Sequence, residues 1–464
     1  MHQYSALAGL VAAAAASPLS LRSNTSASSF KDVPISSSLR WTPCYEKFTC
    51  ANLEVPLDYE NPNVGTTNIA FLKWETPQPA KGDILINPGG PGGSGVDYVL
   101  TSIDTLTGLF GTSYNVVGMD PRGVNNSGPH INCFPGKPSI RDYYDVQYYN
   151  EFDPQSPQSM SQHFQSAGAF GDWCARTLNE TAIYANTPAA ARDMLQYAEL
   201  LAESKGEPRE EAKVDYYGVS YGSTLGTTFA SLFPTRVGRM IIDGVVDVED
   251  HYGGSWTQNV LQADEAVASF FTHCHEAGPA CAFYRNDTSP SAIKERFDAI
   301  LSDIEKTPIA VSDPNFVEFP TTITHMDIKG IVTLFVYDYK SFPALANLFS
   351  ELEVRSASTV APILAAFGLP KGRMLPAECD NKSPEYGMNE PKLIIACNDM
   401  NGNYNISSLE KWTDYVAELK NISFYAGETW AGVITLQCRT LPFRPPKSQI
   451  FPGACKVLID ATKY

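Results

Sequence analysis

The chain alternates short apolar runs, each closed by glycine, proline or acidic residues, with longer stretches in which apolar positions recur at helical spacing. Residues 50–58 and 67–74 read as two strands with a Pro/Asn/Gly-rich turn region between them, an antiparallel edge. Residues 82–86, 114–119, 214–217 and 239–247 are further apolar runs of strand length. Residues 187–201 open with Thr before Pro and continue with apolar residues on one helical face, which predicts a helix. Residues 264–275 and 291–305 are helical in pattern as well, whereas 151–167 are polar and Gln/Ser-rich, the composition of a surface excursion. Residues 19–38 are Ser-rich and read as a loose leader, with folded material starting near Trp41.

Two of the strand-like runs end in glycine-rich loops that bear on chemistry. The first runs into Asn87-Pro-Gly-Gly-Pro-Gly-Gly-Ser-Gly95, where so much glycine means that backbone approaches something closely. The second runs into Gly218-Val219-Ser220-Tyr221-Gly222, a G-x-S-x-G pattern before small, helix-compatible residues. A serine in that setting sits on a sharp strand-to-helix turn that holds its hydroxyl out of the sheet. Ser220 is the candidate nucleophile. The backbone N–H of Tyr221, with the Gly89/Gly90 backbone of the first loop, is the candidate oxyanion hole. A Gly/Ser-rich turn matches the same five positions by chance often enough that the elbow by itself decides little.

The first loop also satisfies a dinucleotide-binding pattern, Gly90-x-Gly92-x-x-Gly95, with Asp120 placed to meet a ribose. This makes a nucleotide-binding oxidoreductase a remote alternative. Pro88 and Pro91 remove N–H donors that a pyrophosphate would need, so the oxyanion-loop reading is favoured. In Asp120-Pro-Arg-Gly123, Asp120 and Arg122 are expected to make a structural ion pair beneath the site.

The totals set the context. With 464 residues, 43% hydrophobic and 18% charged, the chain has the make-up of a folded protein with room for a full α/β sheet and an added lobe. A net charge of −17 repels phosphate backbones, so nucleic acid is not an expected partner. The apolar run at 5–16, ending in small residues, reads as a signal peptide (1–17). No later run is long enough to span a bilayer, and a secreted monomer is the resulting expectation. Ten cysteines in such a chain imply disulfides. Cys44/Cys50, Cys133/Cys174 and Cys274/Cys281 are the candidate pairs, and the partners of Cys379, Cys397, Cys438 and Cys455 are not readable. A zinc site at His273, Cys274 and His275 is the weaker reading; no metal and no cofactor are expected. Sequons at Asn24, Asn125, Asn179, Asn286, Asn405 and Asn421 fit a glycosylated exported protein.

The order of these segments resembles the secreted tripeptidyl-aminopeptidase-like α/β-hydrolases, relatives of proline iminopeptidases. The matching stretches are INPGGPGGSG at 86–95, VVGMDPRGV at 116–124, AARDM at 190–194, YYGVSYGSTLG at 216–226 and RMIIDGVVD at 239–247. The resemblance implies an α/β-hydrolase fold: a mostly parallel sheet with helices on both faces, a leader over 18–40, and a first core segment over 41–248. It further implies a mainly helical lid over 249–380 and a return to the core over 381–464. The implied activity is that of a serine exopeptidase working through an acyl-enzyme on peptides or related acyl and amide substrates. A catalytically silent binding protein using the same pocket, or an esterase of small secondary metabolites, are the other readings.

One part of the pattern is missing. Hydrolases with this elbow take their acid and histidine after the last strands, in the order Ser, acid, His. The seven histidines end at His325, and the strand-like run 455–464 reaches Asp460 and stops, so the chain reads as a C-terminally shortened version. Asp243 and Asp247 are candidate displaced acids. His251, His273, His275 and His325 are the remaining histidines that would have to supply a base.

Overall fold

The computed structural model describes residues 26–148, 152–315, 320–356, 358–360 and 385–453. The apolar run at 5–16, Asn24, Cys379, Cys455 and the strand expected near 455–464 lie outside them.

Eight strands among the described residues form one sheet: β1 (Ile35–Ser36), β2 (Thr42–Cys44), β3 (Phe48–Pro56), β4 (Thr66–Trp74), β5 (Asp83–Asn87), β6 (Asn115–Met119), β7 (Val214–Val219) and β8 (Val237–Asp243). Their order is β1-β3-β4-β6-β5-β7-β8, with β2 against β3. β3, β4 and β6 pair antiparallel, while β6, β5, β7 and β8 run parallel. Helix α1 (Gly95–Phe110) takes the chain from β5 outward to β6. The chain then passes α2 (Pro138–Tyr148), α3 (Pro157–Thr177) and α4 (Thr187–Ser204) and returns to β7 on the other side of β5. Such a reversal leaves a crevice beyond the carboxyl ends of the two strands, where ligands of open α/β sheets bind.

Helices cover both faces, as the apolar runs require. On one face α4 and α5 (Tyr221–Leu232) bury Ala190, Met194, Leu225 and Phe229 against Phe71, Leu85, Val117 and Tyr216. On the other, Val96, Val99 and Leu106 of α1 pack on Leu72, Ile86, Val116 and Tyr217. β8 is the outer strand among the described residues, and Ile241 on it is 54% exposed.

After α6 (Val248–Gly253) comes a lobe with its own core. Helices α7 (Ala263–Ala277), α8 (Pro290–Lys306), α9 (His325–Phe335) and α10 (Phe342–Glu353) bury Phe270, Phe297, Ile328 and Phe349 together. Two short strands, β9 (Ile309–Val311) and β10 (Thr321–Ile323), pair beside them. Helix α11 (Asn389–Met400) then re-enters the hydrophobic cluster around Val124, Phe170 and Tyr221. The return is not wholly to the sheet. Helices α12 (Leu409–Ile422) and α13 (Gly427–Ala431) sit under the lobe, with Tyr425 in its core and Lys329 paired to Glu428 at 2.7 Å.

Three expectations need correction. The stretch 26–40 is not loose: Phe30 and Val33 are buried, and β1 pairs parallel with β3, because the edge of the sheet offers an apolar surface that two side chains suffice to cover. Residues 157–167 are not a surface excursion but the first half of α3. Met160, Phe164 and Ala167 make a helical stripe buried on Trp412 and Leu436, which the intervening Gln and Ser residues concealed. Arg122 does not pair with Asp120. It is held by Asp193 at 2.7 Å and by the carbonyls of Pro56 and Leu57, so this buried guanidinium has a partner from the AARDM segment on α4. Among the described residues no helix is long and apolar enough to cross a membrane.

The three expected disulfides, Cys44–Cys50, Cys133–Cys174 and Cys274–Cys281, are all present, and a fourth joins Cys397 to Cys438. With Cys274 in a disulfide, the zinc reading at His273 and His275 loses its thiolate.

Candidate active site

The site is built from the loops at the carboxyl ends of β5 and β7. The two strands are neighbours, with Asn87 opposite Gly218, so both glycine-rich loops emerge at the same end of the sheet. At the end of β7 the chain turns sharply into α5, and Ser220 at the corner has φ 58° and ψ −124°. A non-glycine residue with such a φ costs of order 1–3 kcal/mol and persists only where its surroundings hold it. Here the Ser220 N–H donates to the carbonyl of Asp243 at 2.9 Å, and Ser223 Oγ donates to the Ser220 carbonyl at 2.6 Å. The flanking glycines are required sterically: a Cβ on Gly218 would collide with the Gly222 carbonyl.

The β5 loop is folded against this corner. Gly89 has φ 102°, and a Cβ built on it would lie 2.5 Å from the Val219 carbonyl oxygen, 2.8 Å from Ser220 Cβ and 3.2 Å from the Tyr221 nitrogen. The loop therefore touches the elbow through bare backbone, as expected of paired loops around one reacting centre. The two glycines differ in what they can offer. The Gly89 N–H already donates to Asn87 Oδ1 at 3.0 Å, so Gly89 contributes contact rather than a donor, and Gly90 is the residue of the pair that lines the open cleft. The Tyr221 N–H opens α5, where backbone donors have no partner within the helix.

A cleft of about 960 Å³ lies over this corner, lined among others by Gly90, Ser220, Tyr221, His251, Trp256 and Trp430. Asp243 and Asp247 line it as well. Asp243 accepts from Tyr217 Oη at 3.2 Å, and Asp247 caps α6 by accepting the Asp250 N–H at 2.9 Å. Of His251, His273, His275 and His325, His251 alone lines the cleft. His273 is exposed on α7 beside Glu276, and His325 begins α9 near Glu305.

The carboxylate that meets His251 is neither Asp243 nor Asp247. His251 Nε2 is 2.8 Å from Asp399 Oδ2, across 148 residues of sequence, and both side chains are buried. Asp399 also accepts from the Thr187 N–H at 2.9 Å and from Thr187 Oγ1 at 2.5 Å, and Thr187 Oγ1 is in turn 2.5 Å from Tyr221 Oη. Sequence reasoning missed Asp399. The available signal was an Asn-Asp pair closing the apolar helix Pro-Lys-Leu-Ile-Ile-Ala-Cys397, a place where unpartnered polar side chains are costly.

Asp120 is equally occupied. It is fully buried and accepts from Ser94 Oγ at 2.6 Å, from the Val96 N–H at 3.1 Å and from the Asn126 amide groups. Burial pushes its pKa up to about 6 against those hydrogen bonds. Such a carboxylate braces the start of α1 and has nothing left for a ribose.

Residues 84–273 match the family described as alpha/beta hydrolase fold, the span that holds both loops, the parallel strands and the elbow. This chain is an α/β-hydrolase. Its relatives include the serine protease Hip1 of Mycobacterium tuberculosis, 29% identical over 221 residues that cover 45% of this hydrolase and 40% of that protein. The tripeptidyl aminopeptidase of Streptomyces coelicolor is 30% identical over 204 residues, covering 43% and 35% respectively. The putative hydrolase YuaR of Escherichia coli is 25% identical over 208 residues, covering 43% and 37%. The hydrolase is thus of the tripeptidyl-aminopeptidase-like kind, in the serine hydrolase superfamily. The aligned stretches make up 35–40% of those relatives' length.

Proposed function

We propose that this hydrolase is a secreted serine exopeptidase that removes residues from peptide N-termini through an acyl-enzyme on Ser220. The observation that carries the reading is the Ser220 corner: a strained elbow pressed against the Gly89–Gly90 loop at the mouth of a cleft. Strain of that kind is maintained at sites that use it. In the proposed step Ser220 Oγ attacks the scissile carbonyl, and the N–H groups of Tyr221 and Gly90 receive the developing oxyanion. Each such donor is worth roughly 10²–10³ in rate.

The choice of peptide N-termini is supported by charge. Asp243 and Asp247 put two carboxylates on the cleft wall, and the chain as a whole carries −17, a field that draws in a protonated α-amine. Four disulfides support an oxidising compartment.

The test is labelling by a fluorophosphonate probe, followed by turnover of peptides with free and with acetylated N-termini. The expected result is labelling abolished by Ser220→Ala and turnover restricted to free N-termini. A chain that binds peptide tightly but neither labels nor turns over is a silent binding protein, and equal turnover of both peptides removes the exopeptidase assignment.

A further inference from the structure

The proposed nucleophile lacks an assigned base, and the cleft contains one buried group that no structural role uses up. His251 is 1% exposed, and its Nδ1 has no hydrogen-bond partner among the described residues. A buried, unpaired ring nitrogen forfeits its hydration at a cost of about 1–3 kcal/mol, so its retention calls for an explanation. The other nitrogen is anchored with unusual thoroughness. Asp399 accepts from His251 Nε2 and from both the N–H and the hydroxyl of Thr187, and Thr187 stands at the first turn of α4, where the helix dipole favours an anion.

That arrangement fixes the tautomer. Asp399, as a carboxylate, can only accept, so Nε2 carries the ring proton and Nδ1 presents its lone pair. The histidine is therefore held as a proton acceptor, and the wall it stands in is the wall of the Ser220 cleft. Its ring centroid is 5.7 Å from that of Tyr221, the residue next to Ser220 in the chain. Ser220 itself makes no side-chain cap hydrogen bond to α5, so its hydroxyl is not engaged there.

We propose that His251, oriented by Asp399, is the general base that serves Ser220. The proposal rests on Ser220 being the nucleophile. In the first step the Ser220 O–H proton passes to His251 Nδ1 while Oγ bonds to the substrate carbonyl carbon, and the C=O π pair moves onto the oxygen. As that oxyanion collapses, the C–N bond breaks, and the leaving nitrogen takes the proton back from Nδ1. A water molecule then repeats the sequence on the acyl-enzyme, giving its proton to Nδ1 and its oxygen to the acyl group. His251 is the catalytic residue of the pair. Asp399 is a positioning residue, because it acts only through the imidazole. Relative to the usual arrangement the ring is reversed, with Nε2 on the acid and Nδ1 toward the serine. Catalytic hydrogen bonds that are open in a free enzyme tighten around substrate.

The experiment compares Ser220→Ala, His251→Ala and Asp399→Asn in the full chain, by fluorophosphonate labelling rate and by kcat and KM on a free N-terminal peptide. His251→Ala is expected to slow labelling about 10²–10⁴-fold, the usual worth of general-base help. Added imidazole, admitted by the cleft that His251 lines, is expected to restore much of that rate. Asp399→Asn should lower kcat with little change in KM. Full labelling and turnover in a folded His251→Ala variant would overturn the proposal while leaving Ser220 as nucleophile. A rate lost but not rescued by imidazole would also overturn it, as the loss would then be structural. If His251→Ala fails to fold, the kcat/KM split of Asp399→Asn decides. Labelling that survives Ser220→Ala would instead refute the underlying assignment of the nucleophile.

Discussion

Gly89→Ala tests whether the two loops are built as one site. At φ 102° an alanine pays for a backbone region that L side chains avoid, about 1–2 kcal/mol. The added methyl would also stand 2.5 Å from the Val219 carbonyl oxygen and 2.8 Å from Ser220 Cβ, where neither neighbour is the free end of a flexible side chain. Overpacking of this kind costs about 1–3 kcal/mol more. The total is roughly 2–5 kcal/mol, and relief can come only by moving the elbow or the loop. Gly206→Ala is the control: its φ is 74°, but nothing lies within 4 Å of the added carbon, so it carries the backbone cost alone. Urea unfolding should show the Gly89 variant less stable than the control. Fluorophosphonate labelling should fall steeply in the first and stay unchanged in the second. Equal stability of the two variants, together with undiminished labelling of Gly89→Ala, would refute the reasoning that contact between loop and elbow defines the site.

Two more outcomes are expected from groups outside the cleft. Asp120 has its folded-state pKa raised from 3.8 to about 6 by burial, so the folded protein binds its proton more tightly than the unfolded chain does. Its contribution to stability is therefore most favourable below about pH 3.8 and is lost as pH rises through about 6; Asp120→Asn should flatten that segment of the stability–pH curve measured by urea midpoint, and an unaltered slope would contradict it. Cys397 and Cys438 close a loop of 41 residues, and replacing both by Ala should destabilise by about 3–4 kcal/mol in the same assay, with less than about 1 kcal/mol counting against the chain-entropy account.

Local pattern carried most of the framework. The runs at 82–86 and 114–119 fall within a residue or so of β5 and β6, and residues 187–201 lie within α4. These elements were legible because each is apolar at the period its geometry demands and is bounded by a residue with a fixed local meaning, such as the Thr-Pro start of α4. The serine corner was legible for the same reason: G-x-S-x-G specifies a backbone shape that five consecutive residues can determine. Even the first three disulfides could be read from short loops and an expected compartment.

The features that remained hidden depend on which distant segments share a wall. α3 disguised its buried stripe among Gln and Ser residues because the surface it covers, Trp412 and Leu436, comes more than 200 residues later. Arg122 stands two positions from Asp120, yet it pairs with Asp193, since burial makes an ion pair depend on direction in three dimensions rather than on spacing along the chain. The His251–Asp399 contact is the extreme case: a turn after β8 meets a helix that returns after the whole lobe. The sequence by itself determined a sheet, a strained serine and the loop pressed against it, all set by backbone preferences acting over a few residues. Only the tertiary structure decided which acid meets which histidine, because that depends on how α4, α6 and α11 pack.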